Sequence, residues 1–356
     1  MMAATKIAII LACVACYNHF CLARRGKESQ RPLPVAFDED DVIQIVNTHP
    51  DKAWKAEKTQ FYGKKKHLTQ RLGTKDLDDA EFAKLPKGTP RSVNRAALPA
   101  QFDARTRWPT CVSIKEVRDQ GGCGSCWALS VAAALSDRIC IKSPRQWTYA
   151  HISSQDFMTC CSKCGGCYGG YVEYAYEYFT NTGAVTGGEY TNNTAEQTGC
   201  RPYSIPLQWD YTITPPCTKS CQSSYYRNYQ QDTYQGTSWY TVSKVDAYGT
   251  VSDDTETNIK TEIMTNGPVS CSMKVYEDFG TYKSGVYQHL TGAYLGSHAV
   301  KCLGWGVDAA TNVPYWLAAN SWGPGWGEGG FFRIRRGTNE CNIEGRVNAG
   351  FPKQYG

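Results

Sequence analysis

After its first two dozen residues the sequence contains no apolar run long enough to cross a bilayer, so a membrane-spanning body is not expected. It has no internal repeat and no low-complexity tract, which sets aside solenoids and repeat arrays. A basic patch is missing too, although the formal net charge is +5. Residues 24–97 hold 16 basic and 11 acidic groups, and residues 98–356 hold 21 and 22. The excess therefore sits in the leader and the segment after it, with Lys64, Lys65 and Lys66, and the body offers nothing to steer a phosphate backbone. Residues 24–97 contain no cysteine and a single tryptophan, Trp54. Histidine is scarce beyond residue 97, where only His151, His289 and His298 occur.

What is present is a globular composition, 41% apolar and 20% charged. Lys6 precedes the apolar run Ile7 to Ala15, and small residues such as Ala23 come after it, the form of a secretory signal ending near residue 23. Of 17 cysteines, three (Cys13, Cys16, Cys21) fall in the leader, leaving 17 − 3 = 14. That density in an exported chain implies a disulfide framework. The sequon at Asn192 is a candidate glycan site in the same compartment. Near residue 97 the chain changes character. A polar, proline-bearing stretch from Pro86 to Ala97 reads as a cleavable linker, and from Leu98 onward aromatics, glycines and cysteines are dense. Periodicity predicts helices over 40–47, 126–140 and 255–265, then strands over 269–275, 298–307, 315–320 and 330–335. Helices first and sheet second describe an α+β protein of two lobes.

The chemistry begins at Gln120-Gly121-Gly122-Cys123-Gly124-Ser125-Cys126-Trp127. The glycines allow a tight loop that runs into a helix, placing Cys126 at its N-terminus, where free N–H groups and the macrodipole favour a thiolate. Cys126 as one more disulfide half is the alternative, and the cysteine count does not decide it. A thiol nucleophile needs a base, and His298 opens an apolar strand able to hold an imidazole, whereas His151 and His289 read as surface or turn histidines. The base in turn needs an orienting group. Asn320 ends the strand Tyr315 to Ala319, with Trp322 and Trp326 near enough in sequence to shield the bond.

The block around Cys126, with a later His and Asn, resembles the papain family of cysteine proteases. Within it the cathepsin B branch is the nearer, through 98–105, 137–140, 199–206 and 282–289, with a weaker likeness over 42–74 to a short propeptide. The resemblance implies a papain-like fold in residues 98–356, a helical left lobe carrying Cys126 and a β-barrel right lobe carrying His298, with the cleft between. It implies an oxyanion hole from the Gln120 side chain and the Cys126 N–H, and substrate contacts at Gly169, Gly170, Trp322 and Arg346. Ten cysteines match the family's bridges: Cys111–Cys140, Cys123–Cys167, Cys160–Cys217, Cys161–Cys164 and Cys200–Cys221. Zinc at Cys161, Cys164 and Cys167 is the rival reading, and export favours disulfides, so no metal or cofactor is expected. Cys271 and Cys302 are then placed to pair across adjacent strands, leaving Cys341 free. Expected partners are protein and peptide substrates, the chain's own residues 24–97 as an inhibitor, and cystatin-like inhibitors. The expected compartment is the secretory route, ending in a lysosome or vacuole or outside the cell.

Three positions depart from the family pattern. Tyr168 stands where an asparagine is usual. The stretch 206–217 matches the occluding loop of cathepsin B but is shorter, has no histidine and lacks both loop cysteines, while Asp210 would repel a substrate's terminal carboxylate. The expected activity is therefore mainly endopeptidase. A dipeptidyl carboxypeptidase and a non-enzymatic cystine-rich binding protein are the alternatives. Arg346 takes the place of an acidic residue at the floor of the P2 pocket, so P2 arginine is disfavoured and acidic or aromatic residues are admitted.

Overall fold

The computed structural model describes residues 38–88, 98–143, 150–207, 210–243, 251–252 and 254–355. The leader, residues 24–37, the linker from 89 to 97, and Gln208 and Trp209 lie outside the described residues, and what was expected of them stays with the sequence. In chain order the labelled elements begin with α1 (Glu39–Thr48), β1 (Trp54–Ala56) and α2 (Lys65–Gln70). The helical portion comes next, with α3 (Cys126–Lys142), α4 (Ser154–Cys160), β2 (Gly169–Gly170) and α5 (Val172–Asn181). Then come β3 (Gly236–Thr241), α6 (Asp254–Asn266), β4 (Val269–Tyr276), β5 (Tyr282–Tyr287), β6 (Tyr294–Val307), β7 (Pro314–Ala319), β8 (Phe331–Arg335) and β9 (Arg346–Pro352).

Helix α3 shows why the first lobe forms. Periodicity assigns it one apolar stripe, yet every residue from Cys126 to Cys140 is buried, as expected of a central helix covered on all sides. Its interior charges are paired: Asp137 meets Lys301 at 2.8 Å and Arg138 meets Glu262 at 2.9 Å. Burial of unpaired charge is costly, so these partners from β6 and α6 fix the helix against the sheet. One core gathers α3, α4 and α5 around Trp127, Phe157 and Tyr176. A second gathers the strands around Phe279, Trp305, Trp316, Trp322 and Trp326.

Apart from β2, which pairs with Gly165–Gly166, the strands form one sheet in the order β1-β5-β8-β7-β6-β4-β9-β3, with the short strand Phe102–Asp103 pairing β6. Among the described strand pairs of this sheet, only β8 against β5 is parallel. The outermost strand, β1, comes from the segment before residue 97: Trp54 pairs with Gly285 of β5. Five disulfides are formed, Cys111–Cys140, Cys123–Cys167, Cys160–Cys217, Cys161–Cys164 and Cys200–Cys221. The expected Cys271–Cys302 bond is not. The register sets Cys271 opposite Val300 and Cys302 opposite Val269, making the two cysteines diagonal neighbours. Diagonal Cα atoms stand about 7–8 Å apart, at or beyond the ~6.8 Å limit of disulfide geometry. Both thiols stay buried and free, and burial with the neighbouring Cys302 pushes Cys271 well up.

Candidate active site

Cys126 opens α3, and its side chain is fully buried. Burial alone pushes a thiol up. Here it is outweighed by the charge and hydrogen bond of His298, aided by the Thr74 hydroxyl and the Ala299 N–H, so Cys126 settles at about 7 against an ordinary 9.0. The helix N-terminus works in the same direction. His298 lies in β6, facing Met273 of β4, and is itself fully buried. The Nε2 atom stands 2.7 Å from Asn320 Oδ1, and the ring lies 4.9 Å from that of Trp322. Because an amide oxygen only accepts, Nε2 must carry the proton, which leaves Nδ1 to serve the thiol. Asn320 comes directly after β7 and is held by the Ser321 N–H, which donates to the same oxygen at 2.8 Å.

Gln120 lies between the two lobes. Its Oε1 accepts from Ser321 Oγ at 2.7 Å, and its Nε2 donates to Cys123 O at 2.7 Å and to Arg71 O at 2.8 Å. The last contact is with the N-terminal segment, whose residues 71–75 lie along the cleft. Gly73 N donates to Cys126 Sγ at 3.4 Å, and Thr74 Oγ1 is also 3.4 Å from it. Gly170 N donates to Gly73 O at 2.8 Å, and Lys75 N donates to Gly170 O at 2.9 Å, a parallel pairing. From the other lobe, Ser297 O accepts from Thr74 N at 3.1 Å. Only glycine fits at 73, since a Cβ there would lie 1.8 Å from Gly124 O. A Cβ on Gly170 would lie 2.4 Å from Cys164 O, so that wall too must be bare backbone.

The remaining candidates are placed less centrally. Arg346 starts β9, its Nε 3.3 Å from Asp76 Oδ1 and its Nη2 donating to Leu77 O at 3.1 Å, with the guanidinium 4.5 Å from the Phe82 ring centre. Beside it, burial pushes the carboxyl of Glu173 up while the charge of Arg346 pulls it down. Trp322 is wholly buried between His298 and Phe61, whose ring stands 5.0 Å away, so in this form it faces the imidazole and the N-terminal segment. Asn192 is exposed.

Three groups escaped the sequence reading. His151 is not a surface histidine: it is buried, with Nδ1 2.7 Å from Gly187 O and Nε2 3.1 Å from Glu116 Oε2. Arg118, beside it, donates to Ile152 O and Ser154 Oγ, tying the residues before Gln120 to the helical lobe. The apolar neighbours Ala150 and Ile152 were the available signal for His151. For Ser321, which steadies Gln120, a lone serine in sequence carries none.

A buried thiolate beside a fixed imidazole makes a specific titration. Ultraviolet thiolate absorbance, taken as wild type minus Cys126→Ser, is expected to rise with pH through a midpoint at about 7. In His298→Ala the opposing burial is left uncompensated, and the midpoint moves up past the ordinary 9.0. A wild-type midpoint at or above that value contradicts the pairing.

A thiol, an imidazole and two side-chain amides meet here between two lobes, the set of groups that a thiol-dependent peptidase requires. The chain belongs to the papain family of cysteine proteases, whose profile matches residues 98–351. More particularly, its relatives are cathepsin B-like. It is 38% identical over 362 residues to a cathepsin B-like cysteine proteinase of Schistosoma japonicum, covering 98% of this chain and 99% of the relative. It is 45% identical to a gut-specific cysteine proteinase of Caenorhabditis elegans, over 75% and 78% of the two chains. Among solved structures it is similar to proCathepsin B S9 from Trypanosoma congolense, with a TM-score of 0.73 and 30% identity over 89% of this chain and 99% of that one.

Proposed function

We propose that the protein is a latent endopeptidase in which Cys126, His298 and Asn320 cleave peptide bonds and residues 24–97 block the cleft until removed, leaving 98–356 as the active enzyme. The observation that carries this reading is the occupied cleft: the segment meets the thiol with Gly73, the oxyanion donor Gln120 with Arg71 O, and both walls with main-chain hydrogen bonds. Once the segment leaves, a substrate carbonyl takes the place of Arg71 O. The Cys126 thiolate attacks its carbon, and the oxygen accepts from Gln120 Nε2 and the Cys126 N–H. The C–N bond breaks as His298 hands its proton to the leaving amine. Water, deprotonated by the same imidazole, then releases the acid and restores the thiol. The stretch 206–217 supports internal cleavage, for it brings no histidine to meet a terminal carboxylate and Asp210 is exposed. Cystatin-like inhibitors that enter the same cleft, and a place along the secretory route, belong to this reading.

The contact of Asp76 with Arg346 favours an acidic residue at P2 in a substrate as well. One peptide series tests both points. Blocking the substrate's C-terminus as an amide is expected to change kcat/KM by less than about twofold, whereas an exopeptidase loses the substrate altogether. P2 glutamate is expected to exceed P2 arginine by about tenfold, and Arg346→Glu to reverse the order. A wild-type enzyme that cleaves best those substrates with arginine at P2 contradicts the assignment of Arg346.

A further inference from the structure

A cavity of about 550 Å³ lies between residues 65–72 of the N-terminal segment and a wall made of Gly124, Cys167, Tyr168, Gly169 and Tyr211. Two glycines leave most of that wall without side chains, so its chemistry comes from the two tyrosines. Their ring centres stand 5.0 Å apart with planes inclined at 49°, so the two rings touch and form a shallow aromatic notch. Tyr168 is 67% exposed even with the N-terminal segment in place, an unusual position for a large ring held on a short turn. The notch is fixed from behind. Tyr211 Oη donates to Cys167 O at 2.7 Å, Gly124 N donates to the same oxygen at 2.8 Å, and Cys167 N donates to Thr214 Oγ1 at 2.8 Å. The Cys123–Cys167 disulfide ties the wall to the loop that leads into Cys126.

The cavity's place along a substrate is set by its neighbours. Gly124 stands two residues before the nucleophile, and Gly169 adjoins Gly170, whose main chain pairs with the peptide in the cleft. A substrate that follows the segment's path sets the residue whose carbonyl meets Cys126 between those points, beside this wall. The N-terminal segment covers this wall with residues 65–72, while its residue at the thiol, Gly73, carries no side chain. We infer that Tyr168 and Tyr211 form the P1 subsite of this enzyme and select an aromatic side chain there. A ring laid against the exposed side of this pair meets Tyr168 and Tyr211 in the offset and edge-on arrangements that aromatic groups prefer. A cation draws on the same faces, but the enzyme side of the cavity has no carboxylate to hold it. Lys65, at the rim, instead pairs with Glu277.

This inference rests on the peptidase reading, and its test separates the two. The full-length chain, after removal of its N-terminal segment, is given peptides that differ only in P1, as Phe, Ala or Arg. The Phe/Ala ratio of kcat/KM is expected to be about ten and to reside mainly in KM, with Arg below Phe. In Tyr168→Ala the ratio falls to about two, and in Tyr168→Phe, which keeps the ring, it is retained. Tyr211→Ala moves it in the same direction. A ratio that survives Tyr168→Ala, or a wild type that prefers Arg to Phe, overturns the notch while leaving the peptidase standing. Failure of the wild type to cleave any of the three overturns the peptidase reading and the notch with it.

Discussion

Cys126→Ser is expected to lower kcat on peptide substrates by about 10⁵-fold or more, the scale of loss when a protease nucleophile is removed. The size of the effect reflects what the site provides. Cys126 is held at about 7, so a large part of it is thiolate at neutral pH, poised by His298 and the start of α3. A serine hydroxyl in the same place stays neutral, because the imidazole and the helix terminus are matched to a thiol. The substitution removes little else. Cys126 takes part in no disulfide, and the side chains differ by one atom, so the fold and the docked segment are retained. Intact secondary structure with activity within about tenfold of wild type would remove Cys126 from the nucleophile's role.

The second large effect concerns latency. The N-terminal segment is held by its main chain in the cleft, but its largest anchor lies at the far end, where β1 extends the sheet. Trp54 is 4% exposed, packs its ring 5.1 Å from Tyr287 and 6.0 Å from Tyr282, and donates Nε1 to Gln288 O at 2.9 Å. Truncating a buried tryptophan costs about 3–5 kcal/mol, equivalent to roughly a hundredfold to several thousandfold in a docking equilibrium. Full-length Trp54→Ala is therefore expected to expose its cleft that much more often. Two readouts report the change: activity before any cleavage of the chain, and faster loss of residues 24–97. In a Trp54→Ala, Cys126→Ser double variant, which cannot cut itself, added protease should remove the segment faster than from Cys126→Ser alone. Equal rates would mean that docking does not depend on β1.

How much of this was legible in sequence depended on whether the signal was local. Glycines running into an apolar helix place Cys126 at a helix start by elementary backbone chemistry, and the predicted helix ends within two residues of Lys142. Strand alternation located β4, β6, β7 and β8 to within a few residues. The features that stayed hidden were set by tertiary partners. His151 reads as polar because Ser153, Ser154 and Gln155 come after it, yet Glu116 and Arg118, over thirty residues away, bury it. The pairing of Cys271 and Cys302 turned on a strand register that a two-residue period cannot fix. Nor does sequence say that Asp76 meets Arg346 or that Tyr168 leans toward Tyr211, for each pair joins segments brought together only by the closed fold.

The most direct measurement is the mass of each product from one long peptide with a free C-terminus, digested by the activated chain and by Cys126→Ser prepared the same way. Internal fragments from the wild type alone, with acidic residues at P2, are the predicted result. Stepwise release of C-terminal dipeptides would contradict the endopeptidase, and equal products from both proteins would contradict the thiol mechanism itself.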